Sequence, residues 1–154
     1  MLYRTTAALI LILALSGCSS VYDVRAVVID GKVAFVPTDT DIWGEPDCIY
    51  SISVSAADGP STNPEEGDSL GMVENGMYWH ESFAVTSCEN PFPVVYGEPL
   101  KGPPFRENDE YAVKAKPLRV GVVYEVTTVS EGSASGVGKF MVTEQRRVVN
   151  LPYK

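Results

Sequence analysis

Apolar and polar positions alternate along much of this chain. In Cys48-Ile49-Tyr50-Ser51-Ile52-Ser53-Val54-Ser55, the residues Cys48, Tyr50, Ile52 and Val54 fall on one side and Ser51, Ser53 and Ser55 on the other. A period of two with one apolar side is what an antiparallel strand packed on a core requires, because successive side chains point to opposite faces. The same run aims Cys48 inward. Alternation returns after Gly76, where Met77, Trp79, Phe83 and Val85 oppose Tyr78, His80, Ser82 and Thr86. Glu81 interrupts the apolar side and marks an edge or a bulge. Further on, Leu118, Val120, Val122, Tyr124 and Val126 share a face. Lys139–Thr143 is the expected hairpin partner, across a Gly/Ser-rich connection at 131–136.

Two more apolar runs, 22–29 and 32–36, are separated only by Asp30-Gly31. Such a two-residue loop takes a type I′ turn, whose positive φ at both positions suits Asp-Gly. Pro37 then ends the second run by removing a ladder donor. Five prolines across 87–104 leave room only for a short edge strand through Val94-Val95-Tyr96, and Arg146–Leu151 supplies a last strand. Ala57–Gly71, with its Gly, Pro, Ser, Asn and carboxylates, reads as a surface loop. About eight or nine short strands, with no helical period and no repeat, predict an all-β fold. The expected architecture is an immunoglobulin-like antiparallel β-sandwich, with a small β-barrel as the alternative.

The first residues do not share this pattern. Arg4 precedes an apolar run from Ala7 to Leu15, and small residues then lead into Cys18. Charge, apolar core and small-residue site, in that order, are the features of a secretory signal. The run is about half the length a bilayer-spanning helix needs. Leu15-Ser16-Gly17-Cys18 resembles the lipobox of bacterial prolipoproteins, and the resemblance stops there. It implies that residues 1–17 are a signal peptide, that the chain is cut before Cys18, and that Cys18 carries lipid. Residues 18–20 would then be the lipidated N-terminus and 21–154 a single domain. The resemblance further implies a membrane partner through the lipid on Cys18. With Ser19 rather than Asp after the cysteine, it implies the inner leaflet of a Gram-negative outer membrane, facing the periplasm.

Charge narrows the partners. The formal net charge is −8 and no basic cluster is visible along the sequence, so nucleic acid is not expected as a partner. Anionic headgroups should attract the chain little, which leaves attachment to the acyl chains. If Cys18 is lipidated, Cys48 and Cys88 form an even pair in a compartment that permits disulfides, and a bridge between them is predicted. With one histidine and no C-x-x-C pair, neither a metal site nor a cofactor is expected.

Candidate chemistry is sparse. His80 is the one side chain that titrates near neutrality unperturbed, but no Gly-x-Ser-x-Gly elbow or free cysteine accompanies it. It reads as a solvent-facing strand histidine, and no enzyme activity is expected. Asp39-Thr40-Asp41-Ile42-Trp43-Gly44 opens like an EF-hand loop, with Asp47 at its ninth position. The likeness fails at Trp43 in the fifth position and Tyr50 in the twelfth, where ligands belong, so these carboxylates read as solvated. The same stretch is the best candidate binding segment: Asp39, Asp41, Glu45 and Asp47 surround Trp43, an aromatic placed to anchor a partner. The expected function is a lipid-anchored, periplasm-facing binding or envelope-structural module with an envelope protein partner. The alternative is an inhibitor or immunity protein against a basic secreted hydrolase such as a lysozyme, drawn by charge. A hydrolase is the third reading.

Overall fold

A computed structural model describes residues 20–38, 48–57, 62–84, 88–103, 111–130 and 134–153. The strands are β1 (Val21–Ile29), β2 (Lys32–Pro37), β3 (Ile49–Ala56), β4 (Met77–Ser82), β5 (Val94–Val95), β6 (Val123–Ser130), β7 (Ser135–Val142) and β8 (Val148–Leu151). One short helix, α1 (Leu70–Glu74), precedes β4. The strands follow the order β4-β3-β6-β7-β1-β2-β5, with β8 paired to β7. Every pairing is antiparallel except β1 with β7. The fold is all-β, as the alternation predicts, and its open sheet is curled in the manner of a sandwich or half-barrel.

The curl depends on β1. Its first residues, Val21–Asp23, pair in parallel with Ser135–Val137 of β7, whereas Val24–Ile29 pair with β2. One strand thus passes from one layer to the other, a common way of turning a corner between packed sheets. Glycine in β7 permits the close approach. A Cβ on Gly138 would collide with the carbonyl of Val24, and one on Gly136 with the Tyr22 ring and Thr128 Oγ1. Past the crossing, β8 takes over the edge of β7. The Asn150 side chain bridges back to β1, its Oδ1 accepting the Ala26 N–H at 2.8 Å and its Nδ2 donating to the Ala26 carbonyl at 2.9 Å.

Aromatic rings join the layers. Phe35 of β2 meets Phe140 of β7 edge-on at 5.5 Å, Phe140 stacks on Tyr124 of β6 at 5.4 Å, and Trp79 of β4 meets Tyr96 at 5.3 Å. The inward positions of β6 are Tyr124, Val126, Thr128 and Ser130, all buried. Two of these, Thr128 and Ser130, are small hydroxyl residues, and the Tyr22 hydroxyl satisfies both at 2.7 Å. A buried polar trio of this kind is tolerated because each member has a partner.

The Asp-Gly turn forms as predicted, with φ of 49° at Asp30 and 78° at Gly31. Three expectations are corrected. Tyr78 was expected on the outer face, yet it and Trp79 are both fully buried. The register shift between Val54 and Ser55 leaves Tyr78 as the extra residue of a β-bulge, which turns two successive side chains inward. Glu81 keeps its place on the apolar side through hydrogen bonds rather than through the bulge. Its carboxylate accepts the Trp79 indole N–H at 2.9 Å and the Leu100 N–H at 2.8 Å. Second, the strand expected from Leu118 begins only at Val123. Gly121 adopts a φ of 77°, which breaks the extended run and leaves Val120 51% exposed. Third, the end of the stretch read as loop carries α1, whose Val73 is buried.

The outer edge of β4 is covered by an irregular segment, 111–118. His80 and Val113 exchange both main-chain hydrogen bonds, and the Lys116 N–H donates to the Tyr78 carbonyl at 2.8 Å. Covering that edge removes a template for unwanted strand pairing.

Candidate functional site

Cys18 lies outside the described residues. The Ser20 carbonyl accepts the Ser135 N–H at 2.9 Å, and β1 begins at Val21. Only Ser19 and Ser20 separate Cys18 from that strand, so Cys18 lies at most ~10 Å along the chain from Val21.

Asp39, Asp41, Trp43, Glu45 and Asp47 also lie outside the described residues, but both roots of their segment are defined. At one root, the Thr38 N–H and hydroxyl donate to the Asp23 carbonyl at 2.9 and 3.2 Å. At the other, Cys48 and Cys88 form the predicted disulfide, with Cα atoms 5.4 Å apart. Beside it the Ile49 N–H donates to the Asn90 carbonyl at 3.0 Å, while the Asn90 side chain clamps the main chain of Lys101. Strand register places both roots at the Ser20 end of the fold. Thr38 sits against Asp23, and Ile49 pairs with Ser130, whose N–H donates to Ala134 next to Ser135. The acidic segment and the N-terminus therefore leave the fold from the same end.

Trp79 is fully buried, so tryptophan quenching has a simple reading. A neutral quencher such as acrylamide is expected to reach only Trp43, darkening about half of the emission if the two indoles contribute alike. Protection of both tryptophans would make Trp43 a core residue and remove it as a contact anchor.

His80 is not solvent-facing as expected. It is half-buried, and its Nδ1 lies 2.8 Å from Ser53 Oγ on the facing strand. Burial pushes the imidazole below its usual range, opposed in part by the Ile52 backbone. A serine beside a histidine is the opening of a nucleophile–base pair, but none of the hydrogen bonds among the described residues brings a carboxylate to orient this imidazole.

A second polar cluster was missed by sequence reasoning. The Lys116 side chain is 2% exposed and ion-pairs with Asp68, fully buried, and with Glu65 at 2.9 Å. Asp68 also accepts the main-chain N–H groups of Glu65 at 2.7 Å and Lys114 at 2.8 Å. Burial alone would raise the Asp68 carboxyl, but Lys116 and the two N–H groups together hold it below the ordinary range. Burial would lower Lys116, and its two carboxylates outweigh that and raise it. A cavity of 330 Å³ opens beside the cluster, lined by Thr62, Glu65, Lys116 and Arg119 among others. The ammonium at its wall is already neutralised, so the cluster acts as a clamp between 62–69 and 111–118. Nothing in the sequence spacing signals it, because its partners are 48 and 51 residues apart.

Among the described residues, no group of three His, Cys, Asp or Glu side chains could hold a metal ion. Compared with protein-family models, curated proteins and solved structures, the chain matches none of them.

Proposed function

We propose that the chain is a lipid-anchored, periplasm-facing binding or envelope-structural module without enzymatic activity, held at the outer membrane by lipid on Cys18. The observation that carries this reading is Leu15-Ser16-Gly17-Cys18 standing three residues ahead of the first strand. Acyl chains contribute roughly 0.8 kcal/mol per buried methylene, so two or more hold a protein firmly without a basic patch. A tether this short keeps the domain against the membrane surface.

An inhibitor of a basic secreted hydrolase is the second reading. It is favoured by the net charge of −8 and by four carboxylates around Trp43, between roots pinned to Asp23 and to the disulfide. Capture from envelope extract tests both. Wild-type chain is expected in the outer-membrane fraction with its partner, while Cys18→Ser is released or left as precursor. A basic hydrolase as the captured protein would select the second reading. Wild-type chain that fractionates like Cys18→Ser would overturn the anchored reading.

A further inference from the structure

Where β1 leaves β7 and β8 takes its place, a groove of 460 Å³ opens along the seam, walled by Arg25, Val28, Arg146, Arg147, Val148 and Asn150 among others. The molecule carries a net charge of −8, yet three of the four arginines among the described residues line this one groove. All three are exposed, and none of the four ion pairs found among the described residues uses them. Guanidinium forks match carboxylates bidentately, so three in one groove form a site for a chain of acidic groups.

The walls are strand edges as well as charges. Main-chain groups in a strand point alternately to its two neighbours. Both main-chain groups of Ala26 are taken by Asn150, on the side away from β2. Val28, two residues on, must therefore aim its N–H and carbonyl into the groove. Its partner Val33 faces away in turn, its carbonyl accepting the Tyr96 N–H. On the opposite wall, the Arg147 carbonyl accepts the Thr143 N–H of the β7 side, which turns the main chain of Val148 towards β1. At Ala26 the Asn150 amide already imitates a neighbouring strand. At Val28 the edge is left for another chain.

We infer that this groove receives an extended acidic segment of a partner protein, its carboxylates on Arg25, Arg146 and Arg147 and its main chain against Val28 and Val148. This is strand addition to a sheet edge with charge setting the choice of partner. It goes beyond the proposed function, and rests on it in one respect, the choice of a polypeptide over a lipid headgroup. β1 and β7 both run away from the Ser20 end, and Arg146 and Arg147 follow the far end of β7. Val28 lies seven residues along β1 from Val21, ~23 Å from the end that leads to Cys18. The Val28 end of the groove thus lies remote from the end of the fold that an anchor would hold.

The test uses the full chain in dodecyl maltoside and three fluorescein-labelled probes, read by anisotropy. These are the hexapeptide Glu-Val-Glu-Val-Glu-Val, its Lys-Val counterpart, and the acidic peptide N-methylated at alternate residues. The acidic peptide is expected to bind and the basic one not. N-methylation keeps the charge but removes main-chain donors, and should weaken binding at least about tenfold. The variant Arg25→Gln, Arg146→Asn, Arg147→Gln should also lose at least about tenfold. Asparagine is chosen because Arg146 has a φ of 56°, which asparagine tolerates. Should that variant lose its near-UV signal, the exposed Arg147→Gln alone is expected to weaken binding about threefold. Failure of the acidic peptide to bind overturns the inference, as does equal binding of its N-methylated form or by the arginine variants. So does binding to phosphatidylglycerol vesicles in its place. None of these outcomes depends on acylation of Cys18, so failure here and failure of the anchor are separable.

Discussion

Asp68→Ala is expected to destabilise the fold by about 3–5 kcal/mol, because it strands the Lys116 ammonium in a buried site with only the half-exposed Glu65 left beside it. That is a large share of the stability of an ordinary domain. Urea unfolding followed by tryptophan fluorescence measures it. Lys116→Met combined with Asp68→Ala should cost less than either change alone, since no unpaired charge then remains. The pH dependence follows from the two shifts. Asp68 is held below its ordinary 3.8, so its contribution is present above that value and lost as pH falls through the lower folded one. Lys116 is raised above 10.5, so its contribution is present below that value and lost as pH rises through the higher folded one. Asp68→Ala should therefore flatten both limbs. If it costs less than about 1 kcal/mol, as an exposed pair would, the clamp is not a buried one.

The disulfide comes next in size. Its cysteines are 40 residues apart, and a closed loop of that length stabilises by roughly 4 kcal/mol through restriction of the unfolded chain. Cys48→Ala with Cys88→Ala should lose about that much, less whatever strain the bridge holds. The loss has a local component too, since Cys48 is itself buried and closes one root of the acidic segment. Purified wild-type protein should show no free thiol on denaturation and one bridged peptide pair by mass spectrometry. Two titratable thiols would contradict the bridge.

Strands, the Asp-Gly hairpin and the cysteine pairing could be read from the sequence because each has a short-range cause: a period of two, a two-residue turn, an even cysteine count. What escaped has a long-range cause. Tyr78 breaks the alternation because a bulge fixed by the register with β3 turns it inward. The alternation carries Thr128 and Ser130 onto the inward face of Tyr124 and Val126, but it does not show that Tyr22, more than 100 residues away, supplies their hydrogen bonds. Val120 has a strand-like pattern, but Gly121 ends the extended backbone before the pattern can be used. His80 read as solvent-facing, since nothing near it in sequence foretells Ser53 across the strand pair. Candidate sites divide the same way. The acidic residues around Trp43 stand out because they are contiguous. The arginine groove does not, because Arg25 lies over 100 residues from Arg146 and Arg147, and only the pairing of β1, β7 and β8 brings them together.

Attachment through Cys18 is the central claim, and the intact mass of the chain purified from a bacterial envelope tests it most directly. The account predicts a protein whose first residue is Cys18, heavier than residues 18–154 by the mass of its acyl groups, with Cys18→Ser lacking that addition. A chain beginning at any other residue, or one beginning at Cys18 with no added mass, would contradict it.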